Sequence, residues 1–372
     1  MEAPGGVAGD DRTMTPSLRV AINGFGRIGR QVLRQASRDE NLTVVAINTR
    51  ETTPAVLAQL FRYDSVFGRY AGEVHAEADR LVVDGREVLV STAPDPSGCS
   101  WEAIGVDVVI EATGSFRLRD DAAAHLRSGA RKVVVTAPCR DADVTLVMGV
   151  NHERYDEALH DVVSAASCTT NCLAPMARVL HTAFGLESAM ITTVHAYTRD
   201  QEIHDAAHPD PRRGRAAGLN MTPTATGAAS AIDIVMPELA GRLDGIAIRV
   251  PVPDVSLVDL TATLSMAATS AQVNDAFLRA SGENGWTGLL AATDEPLVSS
   301  DFVGDRHSCT IDLASTRQGP GNQVKVLGWY DNEAGYAARV IDVVRLLGRV
   351  IPPLLPPSPA SVALRHVASV HG

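Results

Sequence analysis

The chain has 372 residues, 45% of them hydrophobic, with a net charge of −11. Such a length buries a large core and predicts two domains, while the acidic balance leaves no excess of basic residues to neutralise phosphates and so excludes a general nucleic-acid binder. No apolar run reaches the length of a membrane span, and the N-terminus lacks the basic-then-apolar order of a signal peptide.

Residues 1–17, rich in Gly, Pro, Asp and Thr, are expected to form a disordered tail, with Met14 a possible start. Leu18–Asn23 is an apolar strand, a glycine-rich turn follows, and residues 27–38 are helical. Leu42–Asn48 is a second buried strand. Further strands are expected at 81–83, 87–90, 106–111, 131–136 and 144–148, with 120–128 helical. This rhythm predicts an α/β, Rossmann-type doubly wound parallel sheet. After an extended run at 161–166 the character changes. The β-rich runs 189–196, 245–250 and 257–264 predict a mixed or antiparallel sheet in a second, α+β domain. Residues 197–221 are polar, Arg-rich and too long for an ordinary connection, which suggests a functional loop. Residues 336–347 read as the last helix. The division expected is a tail (1–17), a dinucleotide-binding domain (18–167) on which helix 334–350 packs back, a catalytic domain (168–333) and a Pro-rich tail (351–372).

Gly24-Phe25-Gly26-Arg27-Ile28-Gly29 follows a strand and opens a helix. In that context Gly24 permits the tight turn, Gly26 lets a pyrophosphate approach the backbone, and Gly29 allows close helix–strand packing. The acidic residue that normally binds the ribose 2′-hydroxyl of NAD at the end of the second strand is missing. Asn48-Thr49-Arg50 stands there, and Thr49 with Arg50 suits a 2′-phosphate, so NADP or dual use is expected. The bland alternative leaves Arg50 in solvent.

Ser167-Cys168-Thr169-Thr170-Asn171-Cys172 sets a cysteine where a strand becomes a helix. Free N–H groups and the positive end of the helix dipole there favour the thiolate, against the alternative of a buried structural thiol. His195, at the end of an apolar strand, is the candidate base, although a lone His there is more often a core residue. Thr198, Arg213, Thr226, Gly227 and Arg249 flank or follow that strand and can hold anions, although three arginines in a loop also make a solvated face. The five cysteines (Cys99, Cys139, Cys168, Cys172 and Cys309) suit reduced thiols in the cytoplasm. Cys168 and Cys172 have no second pair, so no metal site is expected.

Taken together, Asn23-Gly24-Phe25-Gly26-Arg27-Ile28-Gly29-Arg30, Ser167-Cys168-Thr169-Thr170-Asn171-Cys172, Thr193-Val194-His195-Ala196, Thr226-Gly227-Ala228-Ala229, Arg249-Val250-Pro251 and Trp329-Tyr330-Asp331-Asn332-Glu333 closely resemble phosphorylating glyceraldehyde-3-phosphate dehydrogenases. The resemblance implies that Cys168 attacks the aldehyde of glyceraldehyde 3-phosphate, that His195 is the base, and that inorganic phosphate releases the thioester as 1,3-bisphosphoglycerate. It implies Thr198 and Arg249 for the substrate phosphate. It implies Ser167, Thr169, Arg213, Thr226 and Gly227 for inorganic phosphate. For the cofactor it implies Asn23, Arg27, Ile28, Thr113, Thr136 and Asn332, the last holding the nicotinamide amide. It also implies a cytoplasmic homotetramer of glycolysis or gluconeogenesis, with the 197–221 loop near a neighbouring subunit's cofactor. Thr49 in place of the family's usual Asp, and Ala206-Ala207 in place of Leu-Pro, resemble members that accept NADP. Pro94, Ser230 and Ala334 also depart from the family pattern, away from the reacting atoms. Erythrose-4-phosphate dehydrogenase is the nearest alternative, and a non-catalytic dinucleotide-binding protein is the alternative from another class.

Overall fold

The computed structural model describes residues 17–50 and 52–349. The expectations for both tails and for Met14 lie outside the described residues, apart from Ser17.

The first part of the chain carries strands β1 (Leu18–Asn23), β2 (Leu42–Asn48), β3 (Tyr63–Asp64), β4 (Gly68–Arg69), β5 (Val74–Ala76), β6 (Arg80–Val83) and β7 (Arg86–Ser91). It continues with β8 (Val108–Glu111), β9 (Lys132–Val135), β10 (Val144–Thr145) and β11 (Val162–Ser164). Its helices are α1 (Arg27–Ala36), α2 (Pro54–Arg62), α3 (Trp101–Ile104), α4 (Arg119–Ala122) and α5 (Ala124–Arg127). Nine strands form one sheet in the order β10-β11-β9-β8-β1-β2-β7-β6-β5. It is parallel from β10 to β7 and antiparallel beyond. Chain order reverses at β1, which lies between β2 and β8, so a crevice opens at the carboxyl ends of β1 and β8. Ligands of doubly wound sheets bind at such a switch point.

The second part carries α6 (Cys168–Phe184), β12 (Leu186–Ala196), β13 (Thr222–Ala225), α7 (Ala228–Val235), β14 (Leu243–Val250) and β15 (Ser256–Leu264). It continues with α8 (Ser270–Gly282), β16 (Leu290–Thr293), β17 (Cys309–Gln318), β18 (Gln323–Tyr330) and α9 (Ala334–Gly348). Seven strands form a mixed sheet in the order β13-β14-β12-β15-β18-β17-β16. Apolar residues of α6, α7 and α8, such as Leu173, Met176, Ile232 and Phe277, share one core with Val258, Leu260 and Val326 of that sheet. Helix α9 leaves this layer. Its Tyr336, Val340, Val344 and Leu347 share the other core with Leu18, Val20 and Val32. The strand before Cys168 and the helix after Glu333 therefore tie both cores to one junction.

Strands β1 and β2 span the residues their apolar runs predict. The run at 144–148 keeps strand geometry only at Val144–Thr145. There the Asn151 side chain accepts the Val147 N–H (2.7 Å) and donates to the Thr145 carbonyl (2.9 Å), turning the chain. The helix expected at 120–128 is two short helices that meet at Ala123. Helix α2 had no counterpart in the sequence reading, although Thr53 caps it by accepting from the Val56 N–H and Pro54 opens it. Among the described residues no helix is long and apolar enough to cross a membrane.

Candidate active site

Helix α6 begins at Cys168, and Ser167 caps it by accepting the Thr170 N–H at 3.0 Å. Two residues before the cysteine, Ala166 has φ +57°, a left-handed conformation that costs a non-glycine residue of order 1 kcal/mol. It is held there by Tyr336, whose hydroxyl donates to the Ala166 carbonyl (2.9 Å), and by Asn171, whose amide donates to Ala165 and Ser167 carbonyls (2.9 and 3.0 Å). The strained turn presents Cys168 Sγ 3.5 Å from His195 Nε2.

His195 ends β12, is 4% exposed, and pairs across the sheet with Arg249 of β14. Its Nδ1 lies 2.7 Å from the Ala196 carbonyl oxygen and 2.9 Å from Arg249 Nη1. Burial, and then the Arg249 cation, hold the imidazole down to about 3, so the His195 ring is neutral near pH 7. Burial also pushes the Cys168 thiol up, while Arg249 and hydrogen bonds at the helix start pull it down. At this helix start burial outweighs the pull of the terminus toward thiolate.

Arg249 Nη1 also donates to the Ala196 carbonyl (3.0 Å) and to Thr198 Oγ1 (3.3 Å). Asp200, not anticipated from sequence, accepts from Thr198 Oγ1 and from Arg213 Nη1 (2.5 Å). Arg213 Nε further donates to Thr224 Oγ1 at 3.0 Å. Thr198 and Arg213 thus meet at the exposed Asp200 carboxylate, and Arg249 joins the cluster through Thr198. Thr226 Oγ1 accepts the Ala228 N–H (3.2 Å) beside Gly227, at the start of α7. Thr169 is different. Its hydroxyl is buried and bonds Tyr330 Oη (2.9 Å), which also bonds Thr193 Oγ1 (2.8 Å).

At the crevice, Gly24 has φ +99°, and a Cβ there would lie 2.6 Å from the Thr113 nitrogen. A Cβ on Gly29 would lie 2.2 Å from the Gly24 carbonyl oxygen, whereas one on Gly26 would meet nothing within 4 Å. Two glycines close the turn and the third leaves room beside it, which fits a dinucleotide pyrophosphate against the start of α1. Ile28 is half-buried against the first core. Below the turn, Glu111 accepts from Asn23 Nδ2 (2.5 Å) and the Thr113 N–H (2.8 Å), and Asn48 Nδ2 donates to Asn23 Oδ1 (2.8 Å). Thr136 Oγ1 donates to the Glu111 carbonyl (3.0 Å). The Arg27 guanidinium is taken up by Glu333 (2.8 and 2.9 Å from Nε) and Asp64 (2.5 Å from Nη1), so the side chain is engaged with the protein's own carboxylates. Thr49 is held by its N–H on the Ser91 carbonyl (3.0 Å), and Arg50 is exposed with no partner among the described residues.

The family model described as the glyceraldehyde 3-phosphate dehydrogenase NAD binding domain matches residues 18–119, and the one described as the C-terminal domain matches 167–332. Curated glyceraldehyde-3-phosphate dehydrogenases from Priestia megaterium and Geobacillus stearothermophilus are each 51% identical, over 331 and 327 residues. These alignments cover 89% and 88% of this chain, and 98% and 97% of the relatives. Glyceraldehyde-3-phosphate dehydrogenase 1 of Streptomyces avermitilis is 50% identical over 333 residues, 89% of this chain and 99% of its own length.

The chain belongs to the glyceraldehyde-3-phosphate dehydrogenase family.

Within this family member, several residues of the site escape a sequence reading. Glu333, Asp64 and Asp200 act through ion pairs distant in sequence, and only Glu333 lies in a motif. Asp254 is 2% exposed and neither carboxyl oxygen has a hydrogen-bond partner among the described residues. Burial, then Asp331 and Glu333, push it up to about 9. An acid raised above its unfolded value near 4 destabilises the fold increasingly as pH rises from there toward 9. Asp254→Asn should therefore raise the Tm by several degrees at pH 8 and leave it nearly unchanged at pH 4. Calorimetry showing equal shifts at both pH values would contradict a protonated Asp254.

Proposed function

We propose that the protein is an NAD(P)-dependent, phosphorylating glyceraldehyde-3-phosphate dehydrogenase that converts D-glyceraldehyde 3-phosphate and inorganic phosphate to 1,3-bisphosphoglycerate. The observation that carries this reading is the Cys168 Sγ–His195 Nε2 approach of 3.5 Å at the start of α6. His195 takes the thiol proton, and Sγ bonds the aldehyde carbon. The oxygen that gains charge lies near the Cys168 N–H and receives the proton back, giving a thiohemiacetal. The dinucleotide, when bound, supplies the hydride acceptor. As the carbon loses hydride, His195 Nε2 removes the hydroxyl proton, and a thioester remains on Cys168. A phosphate oxygen then bonds the carbonyl carbon, the C–S bond breaks, and the thiolate returns. The thiol is suited to this sequence because a thioester stays reactive toward phosphate.

Thr198 and Arg249 are assigned to the substrate phosphate. Ser167, Arg213, Thr226 and Gly227 are assigned to inorganic phosphate. Thr169 contributes through its backbone, since its hydroxyl is engaged with Tyr330. A substrate panel tests the assignment. Glyceraldehyde 3-phosphate should give phosphate-dependent reduction of NAD or NADP with the highest kcat/KM. A higher value with erythrose 4-phosphate and no dependence on phosphate would overturn it.

The cofactor is NADP, or both dinucleotides, on the strength of Thr49, Arg50, Ala206 and Ala207. Arg50→Ala should lower kcat/KM for NADP about tenfold and leave NAD within about twofold, the loss of one charge-assisted phosphate contact. A native preference for NAD that Arg50→Ala does not alter would refute NADP use. The assembly is a cytoplasmic homotetramer. In its support, Ile203, Leu219 and Met221 of the 197–221 loop are 81, 83 and 74% exposed, more apolar surface than one loop of a monomer usually shows. Sedimentation equilibrium should give four chains, and a monomer at micromolar concentration would contradict this.

A further inference from the structure

We infer that Ser256 is a positioning residue that fixes which way the Asn332 amide faces, and thereby makes Asn332 a hydrogen-bond donor to the cofactor's carboxamide oxygen. This rests on the dinucleotide reading above.

Ser256, the first residue of β15, is 1% exposed. Its Oγ accepts the Ala196 N–H at 3.1 Å and lies 2.7 Å from Asn332 Oδ1. A serine hydroxyl has one proton. An amide N–H only donates, so that proton is left for Asn332, whose oxygen must face Ser256. With the amide reversed, Nδ2 would face Ser256 and the buried hydroxyl proton would lose its acceptor there. Asn332 Nδ2 is consequently the group left over, and it has no partner among the described residues.

The flip of this amide is the one freedom that the surrounding structure leaves. Asp331 Oδ1 accepts the N–H groups of Glu333 (2.8 Å) and Ala334 (2.7 Å), and its Oδ2 accepts that of Gly304 (2.8 Å). Glu333 in turn grips Arg27 at the glycine-rich turn. The backbone on either side of Asn332 is therefore fixed. Ser256 itself is delivered by Val255, whose φ of +66° is unfavourable for a β-branched residue. The same serine bonds the backbone of the residue after His195. It links the base, on β12, to the nicotinamide ligand, after β18.

Replacing the carboxamide with an acetyl group tests this, because an acetyl keeps the oxygen and lacks the NH₂. The Kd of the preferred oxidised dinucleotide and of its 3-acetylpyridine analogue are measured by calorimetry on the native protein, Ser256→Ala and Asn332→Asp. The native protein should bind both within about threefold. In Ser256→Ala the amide rotates freely, so the carboxamide is still met in either orientation while the acetyl analogue is met in only one. Nδ2 then faces the analogue about half of the time, so the analogue-to-parent Kd ratio should rise about twofold, whereas a purely structural loss would weaken both equally. Asn332→Asp, which cannot donate, should raise the same ratio about tenfold or more, and Ser256→Gly, which also lacks the hydroxyl, serves if Ser256→Ala does not fold. A ratio unmoved when the Ser256 hydroxyl is removed, or a native protein that rejects the analogue, would overturn the inference. A native protein that binds neither dinucleotide would contradict the cofactor reading itself.

Discussion

Cys168→Ser should lower phosphate-dependent dinucleotide reduction by roughly 10⁴-fold or more, the scale on which removing a nucleophile acts. The serine hydroxyl sits at the same helix start, beside the same base, so binding is preserved and the loss falls on kcat. Two properties of sulfur are removed together. The thiol gives up its proton to a neutral imidazole far more readily than a hydroxyl does, and a thioester passes its acyl group to phosphate where an ester resists. Stopped-flow measurement of cofactor reduction checks this. Residual activity within about a hundredfold of the native protein would mean that another group carries the acyl chemistry. Cys172 is no substitute, since it is fully buried one turn further along α6.

His195→Asn should lower kcat by about 10²–10⁴-fold, the usual worth of a positioned general base. The pH dependence distinguishes this from a packing defect. Burial and Arg249 hold native His195 down to about 3, so it stays an uncharged base throughout the neutral range. The native rate should therefore not fall between pH 8 and pH 6 through protonation of this residue. In the variant the thiol must ionise unaided, and burial holds the Cys168 thiol above its ordinary value. Its rate should then climb about tenfold per pH unit until the thiol's own pKa is reached. A variant whose profile parallels that of the native enzyme would remove His195 from the proton-transfer step.

The residues legible in sequence are those whose signal is local. Strands β1 and β2 are continuous apolar runs bounded by turn residues, and the glycines between β1 and α1 sit at a fixed spacing set by backbone geometry. The helix start at Cys168 reads from the change of pattern after the extended run 161–166, and the structure adds Ser167 as its cap. Strands β16, β17 and β18 had no such local mark. Their alternation becomes informative only once β15 and α8 are beside them. The same holds for side-chain roles. Arg27 stands in a cofactor motif, yet its guanidinium reaches Glu333, 306 positions away. Thr169 stands beside the nucleophile, yet its hydroxyl is claimed by Tyr330 across the interior. Spacing shows which residue types lie near the site, and the non-local hydrogen bonds decide which of their atoms remain available.

Under the proposed function, Cys168 carries the oxidised substrate as a thioester until phosphate removes it. The most direct measurement mixes the protein with glyceraldehyde 3-phosphate and oxidised dinucleotide in phosphate-free buffer, and follows cofactor reduction together with the mass of the Cys168 peptide. A burst of one reduced dinucleotide per subunit and an acyl adduct on Cys168 are expected, the adduct being discharged by inorganic phosphate with resumed turnover. Sustained turnover without phosphate, or a burst that leaves Cys168 unmodified, would contradict it.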